Sequence, residues 1–356
     1  MKTMYHNRNR KMRRIITAAV IAAVVLILTQ APLPYYYIQP GSAASLSSVV
    51  EVEEGAGESG EMYLTTVYQQ GATPALALWS VFSPYRELSP KDSYQFGDES
   101  EEEFFERQRQ VMESSQESAE IAAYEAAGKT VNVKYRGVRA SDFIDGMDAA
   151  EKLEEGDLIQ AVNGREVQTL EELNNAIEGI ETGEKATIAF QRNKEQMEAE
   201  IAVESFPAST GEEESSGLGI LYPYTERSVS LNPEATIDAG SIGGPSAGLM
   251  FALEVYNQLT EEDITGGKKI AGTGTIDEQG EVGPIGGIDK KIVAADKKDI
   301  DVFFAPDAGM ASPSNYEIAR QTARSINSDM KVVPVATLEE AVEYLKNDLK
   351  KAESNS

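Results

Sequence analysis

The chain has 356 residues, 41% hydrophobic and 26% charged, enough for about two domains beside an anchor or linkers. A net charge of −27 gives no general attraction to phosphate backbones, so nucleic acid is not an expected partner. With no cysteine and one histidine, His6 near the N-terminus, the folded part has no disulfide, thiolate nucleophile, Cys- or His-built zinc site or Ser-His-Asp triad, and any general base must be a carboxylate, lysine, tyrosine or terminal amine.

Residues 1–14 carry Lys2, Arg8, Arg10, Lys11, Arg13 and Arg14 and no acid. Such a basic stub is expected to stay cytoplasmic. Ile15 to Leu28 is apolar, broken only by Thr17. As a helix that run spans about 21 Å, short of a hydrocarbon core of about 30 Å. Continuing through Pro32, Pro34 and Tyr35-Tyr36-Tyr37 supplies the missing reach, which predicts an anchor over 15–38 with the tyrosines as an interfacial belt. A cleaved signal peptide ending at the small residues Gly41-Ser42-Ala43-Ala44 fits the same pattern. On either reading the rest of the chain lies outside the cell; the anchor makes it a single-pass protein of the cell membrane.

Leu46 to Val52 predicts a strand, Glu53 to Gly60 a turn, and Met62 to Tyr68 the hairpin partner. Residues 100–127 predict a long helix: no Gly or Pro interrupts it, Glu fills its first turn and Gly128 follows its end. Phe104, Phe105, Val111, Met112, Ile121 and Tyr124 are its expected core-facing side chains. Hairpin and helix make a first folded part over 46–128. Residues 130–204 form a compact unit. Its signals are an opening strand at Tyr135 to Ala140, a strand at Leu158 to Val162, the turn pair Asn163-Gly164, and a capping box of Thr169 and Glu172. Ile188 and Phe190, then Ile201 and Val203, alternate as two strands around Asn193. A polar linker covers 205–217. Over 218–348 strands (218–222, 227–231, 269–275, 301–305, 331–335) alternate with helices (246–259, 288–298, 314–327, 338–348), which predicts an α/β layer fold.

Two glycine-framed helix starts carry the candidate chemistry. In Gly243-Gly244-Pro245-Ser246-Ala247-Gly248, proline suits a first helical turn and Ser246 falls where backbone N–H groups and the helix dipole favour negative charge. A nucleophile there has an oxyanion site in its own backbone; a serine there can equally be a plain cap. Leu249-Met250 follows, so this is no Walker A loop. In Gly286-Gly287-Ile288-Asp289-Lys290-Lys291, one lysine beside the inward face of Ile288, Ile292 and Ala295 has a route to a lowered pKa and to service as a base. Solvated lysines in a charged run are the plain alternative. Between the two lies Thr273, placed to hydrogen-bond such an amine.

At these residues the sequence resembles the proteolytic domain of Lon-type serine proteases: Gly244-Pro245-Ser246-Ala247-Gly248, Thr273-Gly274, and Pro284-Ile285-Gly286-Gly287 followed by Lys291. Val111-Met112, Ser115 and Ala119 are similar to a helix early in that domain. Leu153, Gly156-Asp157, Ile159 and Val162-Asn163-Gly164 resemble a PDZ domain. The order is similar to that of the membrane-anchored PDZ–Lon-type proteases of Gram-positive bacteria, the pheromone-processing group. The resemblance implies an α/β (α+β) proteolytic domain, begun over 46–128 and completed over 218–348, with a PDZ insert over 130–204 and an N-terminal transmembrane helix. It implies an ATP-independent serine endopeptidase without cofactor, acting on exported peptides or surface proteins. Ser246 is then the nucleophile and Lys291, rather than Lys290, the base; Thr273 orients the lysine, and the backbone N–H groups of Ser246 and Ala247 hold the oxyanion. The PDZ unit would take peptide by strand addition. No nucleotide partner is expected, and self-association into a homo-oligomer stays open. One departure is Gly243, where many relatives carry aspartate. The rival reading is a catalytically inactive, membrane-tethered peptide-binding scaffold.

Overall fold

The computed structural model describes residues 2–57, 59–95, 99–206, 216–307 and 312–354. Helix α1 (Lys2–Gln30) contains Met12–Gln30, long and apolar enough to cross a membrane and not buried against protein. Pro32 and Pro34 follow it and cannot continue a helix. Strand β1 (Tyr35–Ser45) begins at once, which corrects the reading of an anchor running to residue 38. Tyr36 and Tyr37 are 0% and 1% exposed, in the folded body and not in an interfacial belt. Tyr36 packs on Phe104 and Tyr94. An apolar run and the aromatic start of a strand read alike in sequence. Gly41 to Ala44 also lie in β1, so cleavage there would cut a paired strand.

The expected hairpin is replaced by another. Leu46–Ser48 form a 3₁₀ turn, leaving only Val50–Val52 as strand β2. Strand β3 (Glu61–Gly71) pairs instead with β1, Ile38 opposite Gln69 and Ala44 opposite Leu64. Leu46 is fully buried in the main core, and the turn that buries it diverts the chain away from β3. Next come helix α2 (Pro74–Ser80), strand β4 (Glu87–Pro90) and helix α3 (Glu101–Ala126). Ser100 and Glu103 close a capping box on α3. Phe104, Met112, Ile121 and Tyr124 are buried as expected, whereas Phe105 is exposed and Val111 half-buried. Adjacent helical residues diverge by about 100°, so Phe104 and Phe105 cannot both face the core.

The insert holds β5 (Thr130–Arg139), β6 (Leu158–Val162), α4 (Leu170–Ile177), β7 (Lys185–Arg192) and β8 (Glu195–Ala202). Positive φ at Asn163 and Gly164 makes the tight turn expected there. Val138, Ile159, Leu173, Ile188, Phe190 and Ile201 build a core of its own. Strand β9 (Tyr224–Asn232) pairs along the whole of β5, from Tyr224 opposite Arg139 to Asn232 opposite Thr130. The insert's sheet therefore runs β8-β7-β6-β5-β9. Residues 220–221 pair with 142–143 of the insert as well. The stretch 220–232 thus joins the insert's sheets, not the last unit where it was expected. Most of the expected linker lies outside the described residues.

After β10 (Ala235–Ile237), which pairs with β2, come α5 (Gly248–Leu259), β11 (Lys269–Gly272), α6 (Ile288–Asp296), β12 (Val302–Pro306), α7 (Asn315–Ser325), β13 (Lys331–Val335) and α8 (Leu338–Ser354). The main sheet has the order β13-β12-β11-β3-β1-β4. The first four strands are mutually parallel, and β1 is antiparallel to β3 and β4. Alternation sorts its side chains into two layers. Met62, Leu64, Ile270 and Phe304 pack under α3, α5 and α8; Tyr63, Ala271, Phe303 and Ala305 pack under α6 and α7. The result is the expected α/β layering, with parallel strands buried on both faces.

Candidate active site

The site forms where β3, β11, α5 and α6 converge. Thr273 follows the last residue of β11, at the carboxyl end of a parallel strand, where open α/β sheets place their ligands. Ser246 is the middle residue of a 3₁₀ turn, Pro245–Ala247, that leads into α5, so the α-helix itself starts two residues later than expected. The backbone around Ser246 is held from two sides. Its carbonyl accepts from Thr273 Oγ1 at 2.8 Å and from the Gly274 N–H at 2.9 Å, while the Pro245 carbonyl accepts from Ser115 Oγ at 3.1 Å. Gly248 lets α5 enter this crowded corner: a Cβ there would lie 2.8 Å from Ser115 Oγ and from Ile276 Cγ2. The departure at Gly243 has a steric reason too, since a Cβ would come within 2.9 Å of Gln108 Cβ on α3.

Lys291 projects from the first turns of α6, with Ile288, Ile292 and Ala295 in the core beneath it. It is 3% exposed. Its Nζ lies 2.8 Å from Ser246 Oγ, 3.0 Å from Thr273 Oγ1 and 3.0 Å from the Thr65 carbonyl oxygen on β3. No carboxylate among the described residues shifts it, and burial alone pushes its pKa from 10.5 down to about 7. The hydrogen bonds fix where the lone pair of a neutral amine points. Thr65's carbonyl can only accept, and the Thr273 hydroxyl proton goes to the Ser246 carbonyl, so both oxygens take hydrogens from Nζ. The lone pair is left facing the Ser246 hydroxyl.

Lys290 is equally buried, at 4%, but donates to Glu87 at 2.7 Å and to Asp289 at 3.2 Å. Burial pulls its pKa down; the Glu87 hydrogen bond and the charges of Asp289 and Glu87 outweigh that and hold it above the usual lysine value.

The structure thus brings Ser246, Thr273 and Lys291 together, with Ala247 beside the serine. The N–H groups of Ser246 and Ala247 belong to the opening of a helical turn, where no intrahelical acceptor serves them. The sequence reading missed Thr65, which acts through its backbone and leaves no side-chain signature. It also missed the Glu87 and Asp289 partners of Lys290. A cavity of about 360 Å³ is lined by Val111, Ser115, Leu170, Tyr224, Pro245 and Ile276; it reaches the serine turn at Pro245, and Ser246 itself is not in its lining. Its walls therefore come from α3, from α4 and β9 of the insert's side, and from the serine turn. A larger cavity of about 810 Å³ is bordered by Glu125, Glu278, Glu281, Glu339 and Glu343 and holds none of the candidate residues. The expected opening strand at Tyr135 to Ala140 falls on β5, which pairs with β6 at Val138 and Arg139 on one side and with β9 on the other. The end strand of that sheet next to β7 is β8, which carries Glu195, Glu198 and Glu200.

Residues 233–347 match the family described as Lon protease (S16) C-terminal proteolytic domain, and residues 128–203 match the PDZ domain family. The Lon protease of Campylobacter jejuni is 30% identical over 102 residues, which are 28% of this chain and 12% of that protein. The Lon protease of Helicobacter pylori is 29% identical over 163 residues, 45% of this chain and 18% of that protein. The chain thus spans less than a fifth of the length of these relatives. Among solved structures, the PDZ domain of an SdrC-like protein from Listeria monocytogenes is 25% identical, covering 25% of this chain and 90% of that chain at a TM-score of 0.23.

Proposed function

We propose that this chain, a Lon-type proteolytic domain joined to a PDZ domain behind an apolar N-terminal helix, is an ATP-independent serine endopeptidase that cleaves exported peptides or surface proteins outside the cytoplasmic membrane. One observation carries the reading: a buried lysine amine, without a counter-charge among the described residues, stands 2.8 Å from a serine hydroxyl. At a pKa of about 7 roughly half of Lys291 is neutral at neutral pH, against fewer than one in a thousand for an ordinary lysine.

Lys291 takes the hydroxyl proton as Ser246 Oγ attacks the scissile carbonyl carbon. The N–H groups of Ser246 and Ala247 receive the developing oxyanion. The ammonium formed on Lys291 is held by the Thr65 carbonyl and Thr273 Oγ1. It then gives its proton to the leaving amine, the C–N bond breaks and an ester on Ser246 remains. Water, deprotonated by the now neutral Lys291, attacks that ester; Oγ leaves with the proton and the site is restored. The cavity shared by α3, the serine turn and the insert receives a substrate side chain, which ties the PDZ unit to substrate choice.

The pairing of the proteolytic domain with a PDZ unit supports ATP independence. The basic stub before the apolar helix supports an outward-facing body, and the location of Gly41 to Ala44 inside β1 favours a retained anchor over cleavage there. An inactive scaffold would have no use for an uncompensated cation in its core, since an apolar side chain of similar volume would serve stability better. Purified full-length protein should cleave an unfolded protein such as casein without nucleotide, and Ser246→Ala should not. Failure of the unchanged protein to cleave any unfolded substrate would favour the scaffold.

A further inference from the structure

Helix α2 and the turn after it carry an apolar surface that the proteolytic reading does not use. Leu78, Trp79, Val81 and Phe82 are 67%, 51%, 79% and 70% exposed. Outside α1 they are the most exposed large hydrophobic side chains among the described residues, and they fall within five consecutive positions. The surrounding sequence is just as uneven. Of 356 residues 59 are acidic, about one in six, yet Met62 to Arg86 contains no Asp or Glu. Arg86 is its only charge, and the guanidinium lies 4.6 Å from the Trp79 ring centroid.

The location says what covers this surface. Helix α2 packs against α1, and the Leu33 N–H donates to the Ala72 carbonyl at 2.9 Å, tying the end of the apolar helix to the start of the α2 segment. The segment is held firmly rather than loosely: Thr73 caps α2 and the Tyr85 hydroxyl lies 2.8 Å from Ser325 Oγ on α7. Tryptophan and phenylalanine beside an arginine, without acids, at the point where a membrane helix enters the folded body, match the chemistry of the headgroup–acyl boundary.

We infer that the 78–82 surface is an interfacial membrane anchor, seated in the outer-leaflet boundary beside α1 and giving the body a second point of attachment. The inference rests on α1 being a membrane anchor. Two attachments fix the tilt of the body, which one helix with a short joint would leave free. They hold β1 with its first residue toward the lipid. Ala43, opposite Thr65, is then about 26 Å further along the strand at about 3.3 Å per residue.

The chain contains one tryptophan, Trp79, so its fluorescence reports on this surface alone. The test uses full-length protein in vesicles of phosphatidylcholine and phosphatidylglycerol, with lipids brominated either near the headgroup or deep in the chain. Shallow bromines are expected to quench Trp79 at least about twofold, deep bromines less, and aqueous iodide weakly. Leu78→Ser with Phe82→Ser, both at exposed positions, should halve the bromolipid quenching and restore access to iodide while casein cleavage in detergent is unchanged. A chain that floats with the vesicles through an alkaline wash but leaves Trp79 open to iodide overturns the surface anchor alone. A chain that does not float overturns the α1 anchor and this inference with it. Shielding from iodide without bromolipid quenching, rising with protein-to-lipid ratio, would mean that a second copy covers the surface and would also overturn it.

Discussion

On the β4 side of α6, Lys290 is buried against two carboxylates, Glu87 and Asp289; on the inner side Lys291 is buried against the Thr65 carbonyl and the hydroxyls of Ser246 and Thr273. Exposure barely separates them, at 4% and 3%, yet their proton affinities are driven in opposite directions. Burial therefore does not by itself make a base. A buried cation with counter-charges is a structural tie, and one with neutral acceptors only is poised to lose its proton. The insert holds the converse of the first case: a buried anion, Asp157, 1% exposed, is tied by Arg192 at 2.7 Å.

The sharpest break of this contrast is chemical. Ser246→Ala, Lys291→Arg and Lys291→Met should each lower kcat/KM on an unfolded substrate by about 10³-fold or more. Arginine fails because it cannot give up its proton. Substantial activity in Lys291→Arg would remove Lys291 as the base. A carboxylate introduced beside Lys291 should turn it into a second Lys290. Thr273→Asp is expected to raise the lysine's proton affinity and cost about 100-fold at neutral pH, with part of the rate recovered in alkaline solution. A rate that stays low at every pH would place the defect in positioning rather than in charge.

The unaltered protein should show the contrast in its pH profile. Below about 7 Lys291 is protonated, so kcat/KM should fall tenfold per unit as pH drops, and level off above. Stability follows with a defined sign. Between about 7 and 10.5 the unfolded chain keeps a proton on Lys291 that the folded chain has released, so stability rises with pH across that window. Lys291→Met should lose this slope, measured as the pH dependence of the denaturant midpoint. A flat rate profile between pH 6 and 8 in the unaltered protein would contradict the lowered proton affinity.

The candidate trio of Ser246, Thr273 and Lys291 was legible because each member announces itself through a side chain in a short glycine-bearing motif. Thr65 was not, since any residue has a carbonyl. Lys290 and Lys291 could be ranked from sequence only by family resemblance; Glu87, the partner that separates them, lies some two hundred residues earlier. The layer order of the last unit followed from the alternation of apolar strands and amphipathic helices. Pairing was harder. Tyr36 and Tyr37 sit where an interfacial belt would, and nothing local distinguishes a belt from a strand. The apolar alternation of β9 likewise gives no sign that its partner is β5 of the insert.

The smallest expected effect is at Lys290. Its removal leaves Glu87, which is half exposed and can be solvated, so Lys290→Ala should cost about 1 kcal/mol of stability. Its charge is already balanced by Glu87 and Asp289, and burial alone accounts for the shift of Lys291. Removing Lys290 should therefore leave the midpoint of the rate–pH profile in place and lower kcat/KM less than about threefold. The sign of any movement is informative. A positive neighbour disfavours a second positive charge, so if Lys290 did keep Lys291 neutral, its loss would raise the midpoint and depress the rate at neutral pH. A midpoint higher by a whole unit in Lys290→Ala, with the maximal rate intact, would show that the two sides of α6 act on each other, and that a dry environment is not enough to hold Lys291 unprotonated.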